Sequence, residues 1–126
     1  MTIKNQIKII HKLRKEKLDQ ILMISSLFIN PSLNEGMPRT VLEAMSIGIP
    51  IILSDIVSHR QLDPDENFVS FFKPNDYLDL RDKILFSLKN KNSLEFRLNM
   101  VNYVEQNFSM DVVKKQYMRT YKSILS

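Results

Sequence analysis

The chain has 126 residues, a net charge of +4 and 44% hydrophobic residues, enough for one domain with a buried core. It contains no cysteine, which excludes disulfide scaffolds and thiolate metal sites, and its two histidines, His11 and His59, lack carboxylates at metal-ligand spacing. No secretion signal and no apolar run of membrane-spanning length is visible. We therefore expect a soluble, cytoplasmic protein without a metal or a cofactor.

Basic residues are concentrated near both ends of the sequence. The first 17 residues carry six lysines and arginines against Glu16 alone, and a second basic group lies within residues 114–122. Such surfaces attract phosphates, acidic lipids or nucleic acid, although solvated helix faces are the simpler explanation. The first basic stretch has no aromatic residue for base stacking, so nucleic acid is not an expected partner. Peripheral contact with the inner face of a membrane remains compatible with the charge.

Four short apolar runs in the sequence indicate β-strands, and three of them are separated by helical patterns. Continuous rather than alternating apolar strands are typical of a parallel sheet covered on both faces. We therefore predict one α/β domain over residues 1–126, with a Rossmann-like sheet of about four parallel strands, flanking helices and a helical carboxy-terminal third. The predicted strands are residues 7–10, 27–30, 50–54 and 68–72.

The helices are predicted from apolar periodicity and from capping residues. The first two are residues 15–24 and 39–47, the second ended by Gly48 as a left-handed cap. Asn75 is expected to cap a third helix, and Ser93 and Ser109 are expected to open two more. The expected buried side of the third helix comprises Leu78, Ile84, Leu85 and Leu88, and the apolar residues of the last helix are Val113, Tyr117, Tyr121 and Leu125.

The loop before the second helix has the features of an anion site. In open parallel sheets ligands bind beyond the carboxyl ends of the strands, next to helix N-termini, and residues 32–37 occupy that position. Pro38 suits a helix start, so the N–H groups of the residues after it face outward at the positive end of the helix. Gly36 lets a ligand approach the backbone closely. The predicted phosphate amides are those of Arg39, Thr40 and Val41.

Two glutamates eight positions apart flank this helix start. Glu43 lies about one turn into the helix, where its carboxylate can accept hydrogen bonds from both hydroxyls of a ribose. Glu35 precedes the helix and can accept hydrogen bonds from sugar hydroxyls on the other side of the phosphate. The pattern predicts a site for a nucleotide-diphosphate sugar. The alternative needs no ligand, because an acidic residue near a helix N-terminus stabilises the helix by about 0.3–1 kcal/mol.

Residues 31–38, 41–45 and 48–52 together resemble the E-x7-E signature of retaining glycosyltransferases of the GT-B architecture, closest to family 4 (glycosyl transferases group 1). The resemblance implies that Glu35 is catalytic and contacts the donor sugar, and that Glu43 binds the ribose. It places the base against the loop after the first strand, where His11 replaces the usual glycine. His11, His59 and Arg60 match no family motif and are expected to be ordinary surface or loop residues. The implied sugar- and phosphate-binding residues are Gly36, Met37, Pro38, Arg39, Thr40 and Val41, and the implied base-binding loop is His11, Lys12, Leu13 and Arg14.

The resemblance also implies a reaction and a missing partner. A family member would transfer a hexose from a UDP- or GDP-sugar to a glycan or lipid-linked acceptor, in polysaccharide or lipopolysaccharide biosynthesis and without a metal. A complete GT-B enzyme has two Rossmann-like domains, and its basic residues for the leaving diphosphate precede the region present here. We therefore expect a partial carboxy-terminal domain that needs an amino-terminal GT-B domain or subunit.

Two further readings of the sequence remain open. Lys12, Arg14 and Lys15 are alternative ligands for the diphosphate, although the topology places them on the base side of the site. A non-catalytic interaction module, or a truncated product derived from a glycosyltransferase, is the alternative to an enzyme half.

Overall fold

A computed structural model describes residues 6–36 and 38–108, which form three strands and five helices. The strands are all parallel and lie in the order β1-β2-β3, which confirms the predicted α/β class with a parallel sheet. Within these residues no helix is long and apolar enough to cross a membrane. The elements are α1 (Lys15–Ile24), β1 (Phe28–Asn30), α2 (Arg39–Ile47), β2 (Ile51–Ser54), α3 (Val57–Arg60), β3 (Ser70–Phe72), α4 (Tyr77–Asn90) and α5 (Leu94–Asn107).

The central strand β2 explains why the sheet forms. All four of its residues are buried, which is typical of a parallel strand covered on both faces. Ile51 and Leu53 belong to the main hydrophobic core, and α2 packs against β1 and β2 and also contacts α5. Helix α4 covers β2 and β3. The loop between β1 and α2 therefore connects two elements that pack in or against the core.

The prediction of a strand at residues 7–10 is wrong. The segment is not strand, and Ile7 and Ile9 are 65% and 76% exposed. In the described part of the chain, β1 is hydrogen-bonded to β2 and to no further strand. A four-residue run interrupted by Lys8 buries too little apolar surface to offset the conformational entropy lost when the backbone is ordered. The sheet therefore has three strands here rather than about four.

Helix α4 begins one residue later than predicted and buries a different side. Its cap is Asp76, whose carboxylate accepts a hydrogen bond from the Asp79 N–H, whereas Asn75 has a φ of 64° before the helix. The expected buried side is wrong at three positions, because Leu78, Leu85 and Leu88 are exposed and only Ile84 is half-buried. The fully buried residue is Ser87, which hydrogen-bonds the Ser70 hydroxyl of β3 at 3.1 Å. A polar contact to the sheet thus orients this helix, and apolar periodicity does not reveal it.

Periodicity and capping residues predicted α1, α2 and the start of α5 correctly. Helices α1 and α2 match the predicted ranges, and Ser93 caps α5 by accepting a hydrogen bond from the Phe96 N–H. Ser109, the helix expected after it and its residues Val113, Tyr117, Tyr121 and Leu125 lie outside the described residues, as does Met37.

Gly48 ends α2 as predicted, in the left-handed conformation with a φ of 85°. Replacing Gly48 with alanine is expected to lower the free energy of unfolding by about 1–2 kcal/mol, because L-residues are strained at this φ. The added Cβ would also lie 3.1 Å from the Arg97 carbonyl oxygen and 3.3 Å from the Val101 Cγ2. Urea denaturation monitored by circular dichroism measures the change.

The second glycine provides a matched control for this substitution. A Cβ at Gly36 would meet no atom within 4 Å, so the structure shows no steric need for glycine there. Gly36→Ala should leave the free energy of unfolding within about 0.5 kcal/mol of the parent chain. Equal losses in the two variants would contradict the role assigned to the backbone at Gly48.

Candidate functional site

The carboxyl ends of β1 and β2 meet at one edge of the sheet, because Asn30 is paired with Leu53 in the parallel register. Ser54, the last residue of β2, donates its hydroxyl to the Ser32 carbonyl oxygen at 2.5 Å. The Asn30 Oδ1 accepts the Ser32 N–H at 3.0 Å. These two contacts attach the loop after β1 to the ends of both strands.

Glu35 is held at this edge by one side chain from the end of β1 and one from α3. Its Oε2 atom accepts a hydrogen bond from the Asn30 Nδ2 at 3.1 Å and lies within hydrogen-bond distance of the His59 Nε2, at 2.7 Å. The Oε1 atom lies farther from the Asn30 Nδ2, at 3.4 Å. The Glu35 side chain is still 27% exposed, so its carboxylate is both anchored and accessible to a ligand.

His59 is not the surface histidine that the sequence suggested. It lies in the one-turn helix α3, its side chain is fully buried, and its Nδ1 is 2.8 Å from the Ser54 carbonyl oxygen. The expectation failed because the groups that bind the ring come from the end of β2 and from the loop at Glu35. No local pattern near residue 59 distinguishes it from an exposed histidine. His11, by contrast, is exposed as expected.

Arg60, next to His59, stabilises the loop after β2 rather than the site. Its guanidinium donates two hydrogen bonds to Asp55, at 2.6 and 2.9 Å, and a further one to Glu66. It also lies over the Phe71 ring, 4.2 Å from the centroid. Hydrogen bonding and the charge of Arg60 lower the pKa of the Asp55 carboxyl. This ion-pair network therefore ties the chain after β2 to β3.

The N-terminus of α2 has the backbone arrangement that the sequence predicted. Pro38 is the N-cap, and its carbonyl oxygen accepts the Leu42 N–H at 3.1 Å. The N–H groups of Arg39, Thr40 and Val41 precede that bond and have no carbonyl partner within their own helix. The Arg39 and Thr40 side chains are exposed, as is Gly36. Backbone donors for an anion are thus present at the predicted positions.

Glu43 is half-buried in α2, about one turn after these amides. Burial raises the pKa of its carboxyl above 4.5, while the positive charges of Lys15 and Arg39 oppose the shift and Asp19 adds to it. Since Lys15 and Asp19 belong to α1, the first turns of that helix lie near Glu43. The residues 11–14 predicted to bind a base lead directly into α1 and are all exposed.

An open cavity of about 510 Å³ adjoins Glu35 on the side of α3. It is large enough for a sugar ring, since small-molecule pockets begin at about 300 Å³. Within residues 6–36 and 38–108, no group of three or more histidines and acidic residues is placed to hold a metal ion. The cavity is lined by Leu33, Asn34, Glu35, Ile56, Val57, Ser58 and Gln61.

Comparison with known proteins assigns the class of protein that this fold and site define. Residues 1–107 match the family model described as glycosyl transferases group 1. The match covers most of the chain, so the chain belongs to this glycosyltransferase family, as the E-x7-E resemblance predicted.

Curated relatives resemble the chain over most of its length. A UDP-Gal:alpha-D-GlcNAc-diphosphoundecaprenol alpha-1,3-galactosyltransferase of Escherichia coli is 30% identical over 110 residues, which is 82% of this chain and 28% of that protein. The O-antigen chain mannosyltransferase B of Escherichia coli is 29% identical over 107 residues, which is 85% of this chain and 28% of that protein. The glycosyltransferase 1 domain-containing protein 1 of Xenopus tropicalis is 24% identical and matches 86% of this chain and 31% of its own length. The chain thus spans less than a third of each of these relatives.

A solved structure shares the fold. The sucrose-phosphate synthase of Thermosynechococcus elongatus superposes with a TM-score of 0.75 at 19% identity, over 96% of this chain and 31% of that one. The likeness confirms the fold as that of a Rossmann-like part of a GT-B protein.

Proposed function

We propose that this chain is the donor-binding half of a retaining GT-B glycosyltransferase, a partial carboxy-terminal domain that binds a UDP- or GDP-sugar. The observation that carries the proposal is the anchored but accessible Glu35, which lies beside a cavity and four residues before a helix N-terminus. In the proposed complex Glu35 accepts hydrogen bonds from the donor sugar and Glu43 accepts them from the ribose. Residues 36–41 surround the diphosphate, and residues 11–14 contact the base.

The proposed reaction is transfer of a hexose from the nucleotide sugar to a glycan or lipid-linked acceptor. The leaving diphosphate gains negative charge, which free N–H groups at a helix N-terminus stabilise. The names of the two Escherichia coli relatives, a galactosyltransferase and an O-antigen mannosyltransferase, support polysaccharide or lipopolysaccharide biosynthesis. Retention of configuration and independence of metals are parts of the proposal that rest on the family signature.

We propose that a partner supplies the rest of the active site. The chain spans less than a third of its curated relatives, so the acceptor site and the remaining diphosphate-binding cations would come from an amino-terminal GT-B domain or subunit. Purified chain alone is therefore expected to show no transferase turnover. Robust turnover by the purified chain would contradict this division of the site.

Donor binding can be tested directly by NMR. We expect millimolar UDP-galactose or GDP-mannose to shift the backbone amide signals of Gly36 and of residues 39–41 in the ¹⁵N-labelled chain. Free galactose or mannose at the same concentration is the control, because it lacks the phosphates that the helix N-terminus binds. An absence of amide shifts with both nucleotide sugars would contradict the proposal.

A non-catalytic interaction module is the second candidate, favoured by the apolar residues exposed on α4 and α5. Leu78 and Leu94 are 64% and 72% exposed, and Leu85 and Leu98 are exposed as well. The same titration separates the candidates, since an interaction module need not bind nucleotide sugars.

A further inference from the structure

His59 is fully buried and bonded to the residue proposed to contact the donor sugar, yet the proposed reaction does not use it. We infer that His59 is a positioning residue of the donor site: it fixes the Oε2 atom of Glu35, so that Oε1 is the oxygen presented to a hydroxyl of the donor sugar. The inference rests on the proposed function for the identity of the ligand, but the contact itself can be tested without one.

The surrounding acceptors assign the hydrogens of the His59 ring. Nδ1 lies 2.8 Å from the Ser54 carbonyl oxygen, which can only accept, so Nδ1 carries a hydrogen. Nε2 lies 2.7 Å from the Glu35 Oε2, and a hydrogen must lie between these two atoms. The remaining question is whether that hydrogen belongs to the ring or to the carboxyl.

Asn30 answers this question. Its Oδ1 accepts the Ser32 N–H at 3.0 Å, which orients the Nδ2 amide toward Glu35. Oε2 therefore receives an N–H from Asn30 at 3.1 Å in addition to its contact with His59. The hydrogen is assigned to the ring, because an ionised carboxylate oxygen can accept from both neighbours at once. In this assignment an imidazolium and a carboxylate are joined by a charge-assisted hydrogen bond.

This arrangement leaves the two oxygens of Glu35 with different roles. Oε2 is occupied by His59 and Asn30, whereas among residues 6–36 and 38–108 the hydrogen-bond contact of Oε1 is the one at 3.4 Å to the Asn30 Nδ2. Glu35 also lines the open cavity, so a sugar hydroxyl in that cavity can donate to Oε1. The carboxylate loses part of its solvation at the edge of the domain, and the positive charge of the buried ring compensates for that loss.

The ligand-free contact is tested first, by two-bond ¹H–¹⁵N NMR of the histidine rings at neutral pH. We expect hydrogens on both nitrogens of His59 in the parent chain. In Glu35→Gln the neutral amide no longer favours the imidazolium, so the Nε2 signal should change to that of an unprotonated nitrogen. An unprotonated Nε2 in the parent chain would overturn the inference. This NMR experiment needs only a substitution at the partly exposed Glu35, so it does not depend on the folding of a His59 variant.

Binding is tested next with UDP-galactose, GDP-mannose, UDP and GDP. His59→Leu, which has no donor, should weaken nucleotide-sugar binding by about tenfold, the cost of one hydrogen bond to a charged group. His59→Gln places an amide donor near the Nε2 position and should weaken it by less than about threefold. The bare nucleotides should bind all variants alike, because they lack the sugar that Glu35 is proposed to contact. Gln106→Leu, at an exposed position of α5 outside the proposed site, is the control and should change the binding of neither the nucleotide sugars nor the bare nucleotides.

A double-mutant cycle separates positioning from a merely structural role. In the Glu35→Ala background, His59→Leu should cause no further loss of nucleotide-sugar binding, because the carboxylate that His59 positions is gone. Additive losses, or equal losses for UDP and UDP-galactose, would overturn the inference. If the parent chain binds no nucleotide sugar, the proposed function fails and with it the sugar contact at Oε1, while the ring NMR still decides the His59–Glu35 bond.

Discussion

Replacing Glu43 with alanine is expected to abolish detectable binding of the nucleotide sugar, because the variant loses both proposed hydrogen bonds to the ribose. Two hydrogen bonds to a charged acceptor are worth about 3 kcal/mol together, which corresponds to a dissociation constant raised about a hundredfold. Glu35→Ala removes fewer contacts with the donor and should raise the dissociation constant by about tenfold. Isothermal titration calorimetry with UDP-galactose and GDP-mannose, supported by NMR, measures both changes.

The control for Glu43→Ala is Glu95→Ala, which removes an exposed glutamate from the first turn of α5. This variant should bind like the parent chain. Equal weakening by Glu95→Ala would show that the effect comes from the general loss of a negative charge rather than from the ribose contact.

Acidity should modulate the same contact, because burial raises the pKa of Glu43. As the pH falls through this raised pKa, the carboxylate gains a proton and accepts hydrogen bonds less well, so donor binding should weaken. The effect of pH on stability has the opposite sign. Because the pKa of Glu43 is higher in the folded state than in the unfolded state, the free energy of unfolding falls as the pH rises through this raised pKa. Glu43→Gln should therefore lose affinity at neutral pH without losing stability, which thermal unfolding without ligand can check.

Replacing Asp63 with alanine should cause the largest loss of stability among the substitutions considered. The Asp63 side chain is fully buried, and its carboxylate accepts three backbone N–H groups, from Asn67 at 3.1 Å, Phe68 at 2.8 Å and Val69 at 2.7 Å. Alanine would leave these donors without their acceptor, and we expect the free energy of unfolding to fall by about 3 kcal/mol or more. Urea denaturation measures the loss.

Two further variants define the cause of this loss. Asp65→Ala, at an exposed position in the same loop, should change stability by less than about 0.5 kcal/mol. Asp63→Asn keeps one acceptor oxygen, so its loss of stability should lie between those of Asp63→Ala and Asp65→Ala. If Asp63→Ala were no less stable than Asp65→Ala, the three hydrogen bonds would not be what orders the segment leading into β3.

Features encoded in short stretches of sequence could be predicted. The bounds of α1 and α2, the left-handed Gly48 and the cap at Ser93 were all correct, because each depends on residues within one or two turns. The backbone of the proposed anion site at Arg39, Thr40 and Val41 follows from the same local signals, since a helix start leaves its first N–H groups without partners.

Features that depend on contacts between distant residues could not be predicted. The run at residues 7–10 has strand-forming residues, but strand formation requires a neighbour that the described sheet does not offer. Helix α4 is oriented by Ser87 and Ser70, which are 17 positions apart. His59 contacts Glu35, 24 positions away, and only the folded sheet brings the two together. Periodicity and capping rules contain no information on such pairs.

The attachment of the loop after β1 to the end of β2 has a consequence for how a ligand arrives. Ser54 bonds this loop at Ser32 and His59 contacts it at Glu35, so the conformation of residues 32–35 is set when the domain folds. A donor therefore meets a preorganised surface, and little chain entropy is lost when it binds. Free and bound forms should differ by small side-chain adjustments, and recognition at this loop should resemble a lock and key more than the closing of a lid.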